Sequence, residues 1–227
     1  MHSLVARWLL AVSLGLLVPA LAGAQPTTTR VSVATDGTQG NNYSGRAVVS
    51  ADGRWVAFTS AADNLVPGDT NFQWDVFLHD RQTGTTTRVS LTPGGGQMDI
   101  PSDFPAISAD GRWVAFQSGS PLGTTQVFLH DRETGTTIQV SVGPGGIAGS
   151  GAFPAISADG NWVSFTSRAD NLVAGDTNGV EDVFVYDRQT AVVTRVSVGS
   201  GGAQGNRYSW SLGSLSADGR SVAFASM

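Results

Sequence analysis

One phrase recurs four times along this chain: VVSADGRWVAFTS from Val48, AISADGRWVAFQS from Ala106, AISADGNWVSFTS from Ala155 and SLSADGRSVAFAS from Ser214. A second phrase follows three of them: DVFLHDRQTGTTTRVSL from Asp75, QVFLHDRETGTTIQVSV from Gln126 and DVFVYDRQTAVVTRVSV from Asp182. The SADG turns lie 58, 49 and 59 residues apart. A period of that length marks a chain of stacked supersecondary units, each too small to bury its own apolar face alone.

Each unit parses into four short strands. The first ends at Ser-Ala-Asp-Gly, whose Asp-Gly suits a tight turn. The second carries apolar residues on both faces, Trp55 and Ala57 against Val56 and Phe58. The third, DVFLHD, and the fourth, TTTRVSL, are joined by Arg-Gln-Thr-Gly, with Gly in the left-handed slot. Strands apolar on both faces need cover on both. Face-to-face stacking of sheets around an axis supplies it and leaves only short edges. The expected fold is therefore all-β, a β-propeller of four-stranded blades. The repeats lie near residues 48–91, 106–142 and 155–198, with a partial one at 214–227. A β-sandwich accounts for the strand density but not for the near-identical repeats.

Ser-Ala-Asp-Gly-Arg-x-Val-Ala-Phe followed by Asp-Val-Phe-x-x-Asp-Arg-x-Thr-Gly resembles the TolB-like, WD-repeat-like propeller repeat, over essentially everything after residue 28. By analogy the resemblance implies a place in envelope protein assemblies. It fixes no chemistry, because propellers host binding modules and enzymes alike. Thr28 to Val33 reads as a fourth strand with no blade before it, and the last residues, SVAFASM, as a second strand. Two readings follow: a four-bladed ring with one incomplete blade, or a piece of a larger propeller. The second is favoured, because the sequence stops mid-repeat where another NLVxGDTN loop is due.

Residues 1–24 read as a signal peptide. Arg7 supplies a positive start, residues 8–18 a short apolar run, Pro19 a break, and Ala22-Gly23-Ala24 a small-x-small cleavage site. The run is roughly half of the ~20 residues that span a bilayer. The propeller domain is then 25–227, exported to the periplasm or outside the cell. With no cysteine, its stability must come from packing. All 13 basic residues are Arg, Asp outnumbers Glu 16 to 2, and net charge is −5. With no basic stripe, nucleic acid is not an expected partner.

The loop between the second and third strands carries the most suggestive chemistry. It reads AADNLVPGDTNFQWD from Ala61 and RADNLVAGDTNGVED from Arg168, whereas the middle repeat has the shorter GSPLGTT. Asp63, Asp69, Asn71 and Asp75, and their counterparts Asp170, Asp176, Asn178 and Asp182, offer hard oxygen ligands at alternate positions, as calcium loops do. No basic residue stands among the first three carboxylates, and crowded carboxylates repel unless a cation or solvent screens them. Calcium is the cofactor this pattern suggests, although an EF-hand's sixth-position Gly and twelfth-position Glu are missing. The alternative is a metal-free turn in which Asp and Asn bond the backbone and Leu65 tucks onto the blade.

His79 and His130 occupy the same strand position on different blades, too far apart to share a metal. Trp55, Trp113 and Trp162 recur in register and are expected between blades. Asp80-Arg81, Asp131-Arg132 and Asp187-Arg188 are expected to brace the turn after the third strand. Tyr43, Trp74, Tyr208 and Trp210 break the repeat, so they are the candidates for a ligand face. There is no Gly-x-Ser-x-Gly, His-Glu-x-x-His, phosphate loop or cysteine. The expected function is a non-catalytic binding scaffold for a protein or polysaccharide. The rivals are a lyase or hydrolase with its site over the central channel, and a structural piece of a longer surface protein.

Overall fold

The SADG phrase has a job for every residue. Ser50 Oγ donates to Asp52 Oδ1 (2.5 Å) and accepts from Trp55 N (2.9 Å), while Asp52 Oδ1 also accepts from Arg54 N (3.0 Å). Gly53, at φ 72°, takes the left-handed step that a side chain would oppose. The same bonds recur around Ser108, Ser157 and Ser216. Ala51 N donates to Ala109 O, Ala109 N to Ala158 O and Ala158 N to Ala217 O, so successive turns are linked as well as similar.

The computed structural model describes residues 28–119, 124–211 and 214–227; the signal-peptide assignment lies outside them. Three antiparallel four-stranded sheets follow in chain order. The first holds β1 (Ser44–Val49), β2 (Trp55–Ser60), β3 (Asp75–Asp80) and β4 (Thr86–Arg88). The second holds β5 (Ser102–Ile107), β6 (Trp113–Ser118), β7 (Gln126–Asp131) and β8 (Thr136–Gln139). The third holds β9 (Ala152–Ile156), β10 (Trp162–Ser167), β11 (Asp182–Asp187) and β12 (Val192–Arg195). A two-stranded sheet of β13 (Ser209–Trp210) and β14 (Ala225–Ser226) begins a fourth. There is no α-helix among the described residues, and no helix long and apolar enough to cross a membrane.

The core lies between the blades. Ala57, Val76, Leu78, Val89 and Met98 of the first blade pack against Val114, Phe116 and Phe128 of the second. Ala115, Val127, Leu129 and Val140 of the second pack against Val163, Phe165, Phe184 and Tyr186 of the third. Each blade thus turns an aliphatic face to the paired aromatics of the next. Those pairs are cross-strand neighbours with ring centroids 5.6–5.8 Å apart. Full burial of one such Phe contributes roughly 1.5–3 kcal/mol. On the first blade, Phe58 and Phe77 are covered instead by Leu65, Val31 and Val66. Val31 sits where Val89 and Val140 sit for the later blades. The bridge Val33–Gln39 likewise repeats Leu91–Gln97, Val142–Ala148 and Val198–Gln204, so residues 31–39 follow the pattern of a fourth-strand exit.

The repeated tryptophans lie between blades as expected. A Cβ built on Gly111, Gly160 or Gly219 would stand 2.2, 2.3 or 2.0 Å from Cδ1 of Trp55, Trp113 or Trp162. Arg132 and Arg188 lie over the Trp55 and Trp113 rings, 4.1 Å from each centroid. The Asp-Arg pairs brace the turn in a different way from an ion pair between blades. Arg54 and Arg112 make two-pronged bonds to Asp80 and Asp131 of their own blade, at 2.7–3.0 Å. It is the cation–π contact of Arg132 or Arg188 that crosses to the neighbour.

Candidate functional site

Each inner strand carries one extra residue. Gly45 pairs with Thr59 and Val48 with Ala57, so three steps on β1 match two on β2; β5 and β9 repeat the shift. The extra residue of such a bulge is commonly a Gly in the left-handed region. Here it is Arg46 (φ 48°), Phe104 (φ 53°) and Phe153 (φ 54°). A bulky residue there is a genuine outlier, costing on the order of 1–3 kcal/mol.

The three side chains meet across the blades. Arg46 lies 3.9 Å from the Phe104 ring centroid, and Phe104 meets Phe153 edge-on at 4.9 Å. Arg46 Nε also pairs with Asp103 at 3.0 Å, and Asp103 accepts from Thr59 Oγ1 at 2.9 Å. Gln117, the residue equivalent to Thr59, accepts from Phe153 N at 2.9 Å. This row borders an axial cavity of about 520 Å³ that Val48, Ile107, Ile156 and Leu215 also line. Arg46 is the one ionisable residue among the lining residues. Sequence reasoning missed the row, because strand pairing creates the bulge and no local phrase announces it. One signal was available: Phe-Pro at 104–105 and 153–154 sits three residues before the SADG phrases.

The acidic loops resolve into closed clusters. Asp75 is wholly buried, and its carboxylate accepts from Ser90 Oγ (2.5 Å) and Asn71 Nδ2 (3.0 Å). Arg88, from β4, reaches both Asp69 (3.1 Å) and Asp75 (3.4 Å). The third blade repeats this with Arg195 on Asp176 (3.0 Å) and Asp182 (3.5 Å), and with Asn178 and Ser197 on Asp182. The loops therefore have a basic partner after all, supplied by the fourth strand. The second blade has Gln126 in place of Asp75 and Gln139 in place of Arg88, so charge and counter-charge vanish together. Burial pushes the Asp69 carboxyl above its usual range; Asp75 adds to this and Arg88 opposes it. Burial does the same to Asp176, against Arg195.

Asp63 and Asp170 stay outside these clusters, both exposed, with Asp63 bonded to Asn41 Nδ2 at 2.6 Å. Leu172 is buried in the core between the second and third blades, and Leu65 on the outer face of the first blade, against Phe58 and Phe77. Among the described residues no three His, Cys, Asp or Glu side chains converge as a metal site needs. His79 and His130 each bond a threonine of their own blade, Thr86 at 2.9 Å and Thr137 at 3.0 Å. The third blade exchanges both members, for Tyr186 and Val193. Burial lowers the pKa of both histidines.

The four non-repeated aromatics divide into two groups. Tyr43 and Trp74 come together on the first blade, ring centroids 5.4 Å apart, and both are exposed. Tyr208 is exposed and Trp210 half-buried at the start of the partial fourth sheet.

No protein-family model matches the chain, and no curated protein matches it. Its fold is similar to that of TolB from Acinetobacter baumannii, at a TM-score of 0.52 and 20% identity. That match covers 82% of this chain and 38% of TolB. A prolyl endopeptidase matches at a TM-score of 0.52 and 16% identity, over 79% of this chain and 25% of the peptidase. The chain thus spans well under half the length of either. At these identities the likeness establishes the architecture, an all-β TolB-like propeller.

Proposed function

We propose that this chain, a TolB-like propeller by fold, is a non-catalytic exported scaffold that receives a protein or polysaccharide partner at its axial mouth. The observation that carries the reading is the row Arg46, Phe104 and Phe153. Three bulky residues occupy a backbone position where glycine would be free of strain, and they border the axial cavity. Backbone strain of this kind clusters at active sites, ligand clamps and switch regions. Catalysis has little to work with there. A guanidinium stays protonated and makes a poor general base, and Asp103 is already engaged by Arg46 and Thr59.

The test is capture of a partner from the envelope and secreted fractions by the full chain, beside the variants Arg46→Ala, Phe104→Gly and Phe153→Gly. Turnover on a panel of peptides and glycans runs in parallel. The expected result is a partner lost by the variants while cooperative melting survives, with no turnover. Capture indifferent to all three variants, or turnover abolished by them, would refute the scaffold at this mouth.

A further inference from the structure

The first and third blades build their acidic loops alike but finish them differently. In both, an asparagine side chain caps the residue two positions on: Asn71 Oδ1 accepts from Gln73 N (3.0 Å), and Asn178 Oδ1 from Val180 N (3.2 Å). In both, the residue between adopts positive φ. The third blade uses Gly179 (φ 66°), which does so freely; the first uses Phe72 (φ 57°). Phe72 gains almost nothing from the fold in return, being 83% exposed. Two residues on stands Trp74, 38% exposed, against Tyr43, 66% exposed, in a tilted pair at an interplanar angle of 59°. The third blade has Glu181 in place of Trp74. The strain and exposure of Phe72, two residues in sequence from Trp74 of the exposed Tyr43–Trp74 pair and confined to one blade, have no explanation in packing.

We infer that Phe72, Trp74 and Tyr43 form a stacking platform for a neutral glycan. Aromatic rings offer their faces to the C–H faces of sugar rings. The polar side chains of the same loops are amides and a carboxylate, Asn41, Asn42, Gln73 and Asp63; Asn41 donates to Asp63 at 2.6 Å, and the amide N–H groups and carboxylate oxygen left over suit hydroxyl groups. The arginines of these elements are engaged elsewhere: Arg88 by Asp69 and Asp75, and Arg46 by Asp103 and Phe104. A site without a free cation disfavours acidic sugars and phosphates. The inference rests on the scaffold reading but not on the axial mouth.

The decisive variant is Phe72→Gly, which copies the third blade and relieves backbone strain. Binding of cellohexaose, chitohexaose and maltohexaose to the full chain is measured by calorimetry and tryptophan fluorescence, with an oligogalacturonate as the acidic control. The expected result is binding of at least one neutral hexaose, weakened roughly 3- to 10-fold by each of Phe72→Gly, Trp74→Ala and Tyr43→Ala. The melting midpoint of Phe72→Gly should be no lower than that of the parent. Failure of every neutral hexaose to bind, or affinities that these variants leave unchanged, overturns the platform. Light scattering that shows a dimer dispersed by Trp74→Ala also overturns it, by assigning the aromatics to a second copy. If the platform fails while the axial variants still lose their partner, the scaffold stands without it. Turnover of a bound glycan would instead refute the scaffold reading.

Discussion

Gly53 and Gly111 stand in the same six-residue phrase, Ser-Ala-Asp-Gly-Arg-Trp, with φ of 72° and 70°. Alanine at either must hold a left-handed backbone, at a cost of about 1–2 kcal/mol. The gain from stiffening the unfolded chain is the same in both, because the local sequence is the same. Only the surroundings differ. A Cβ at 53 would find its nearest neighbour, Arg81 Nη1, at 3.7 Å; at 111 it would lie 2.2 Å from Trp55 Cδ1 and 2.5 Å from Cγ. The indole cannot retreat freely, since Arg132 covers its ring. Overpacking of this kind adds about 1–3 kcal/mol. The expected ordering is Gly111→Ala worse than Gly53→Ala by that added amount, or by roughly 2–12 °C in melting midpoint for a domain of this size. Urea titrations followed by circular dichroism give both values. In a Trp55→Ser background, which adopts the residue found at Ser221 in the fourth repeat, the gap should close. Equal costs for the two glycines, or a gap that survives Trp55→Ser, would show that the indole slot does not govern blade stacking.

Three further outcomes follow from the clusters. Arg88→Gln leaves the buried carboxylates of Asp69 and Asp75 without their counter-charge and should cost about 3–5 kcal/mol in a denaturant titration; adding Asp69→Asn and Asp75→Gln, so that both carboxylates go with their cation, should recover much of it. Excess calcium against chelator should leave the melting midpoint unmoved, because Arg88 and Arg195 already bridge the carboxylates; a cation site at tenfold excess over its Kd would add about 1.4 kcal/mol. The third concerns pH. Burial lowers the pKa of His130, so the unfolded chain takes up a proton near pH 6.5 that the folded one refuses. Its contribution to stability is intact above that pH and shrinks as pH falls towards the folded value. His130→Tyr with Thr137→Val, the third blade's own pair, should flatten the fall of the melting midpoint below about pH 6.5.

Much of the blade is legible in the phrases themselves. The four strands, the SADG turns and the inter-blade tryptophans all follow from local residues and from the demand for cover on two faces. The swap of Asp75 and Arg88 for Gln126 and Gln139 was equally readable, as was that of His130 and Thr137 for Tyr186 and Val193. Both swaps join strands adjacent in sequence. The counter-charge of the acidic loops went unseen only because Arg88 lies beyond the loop, on the strand that pairs with β3.

The sequence by itself determined the repeating unit. Turn chemistry, alternation and apolar faces act within some fifty residues, and each copy states them again. Tertiary structure decided the rest. Arg46, Phe104 and Phe153 gather because pairing inserts one residue into each inner strand and stacking brings those strands to a common axis. Gly111 is crowded and Gly53 open because the same phrase meets a different neighbour in each place. Such contacts depend on the register between strands and the packing between blades, and a residue's local sequence does not encode which side chain will face it across that distance.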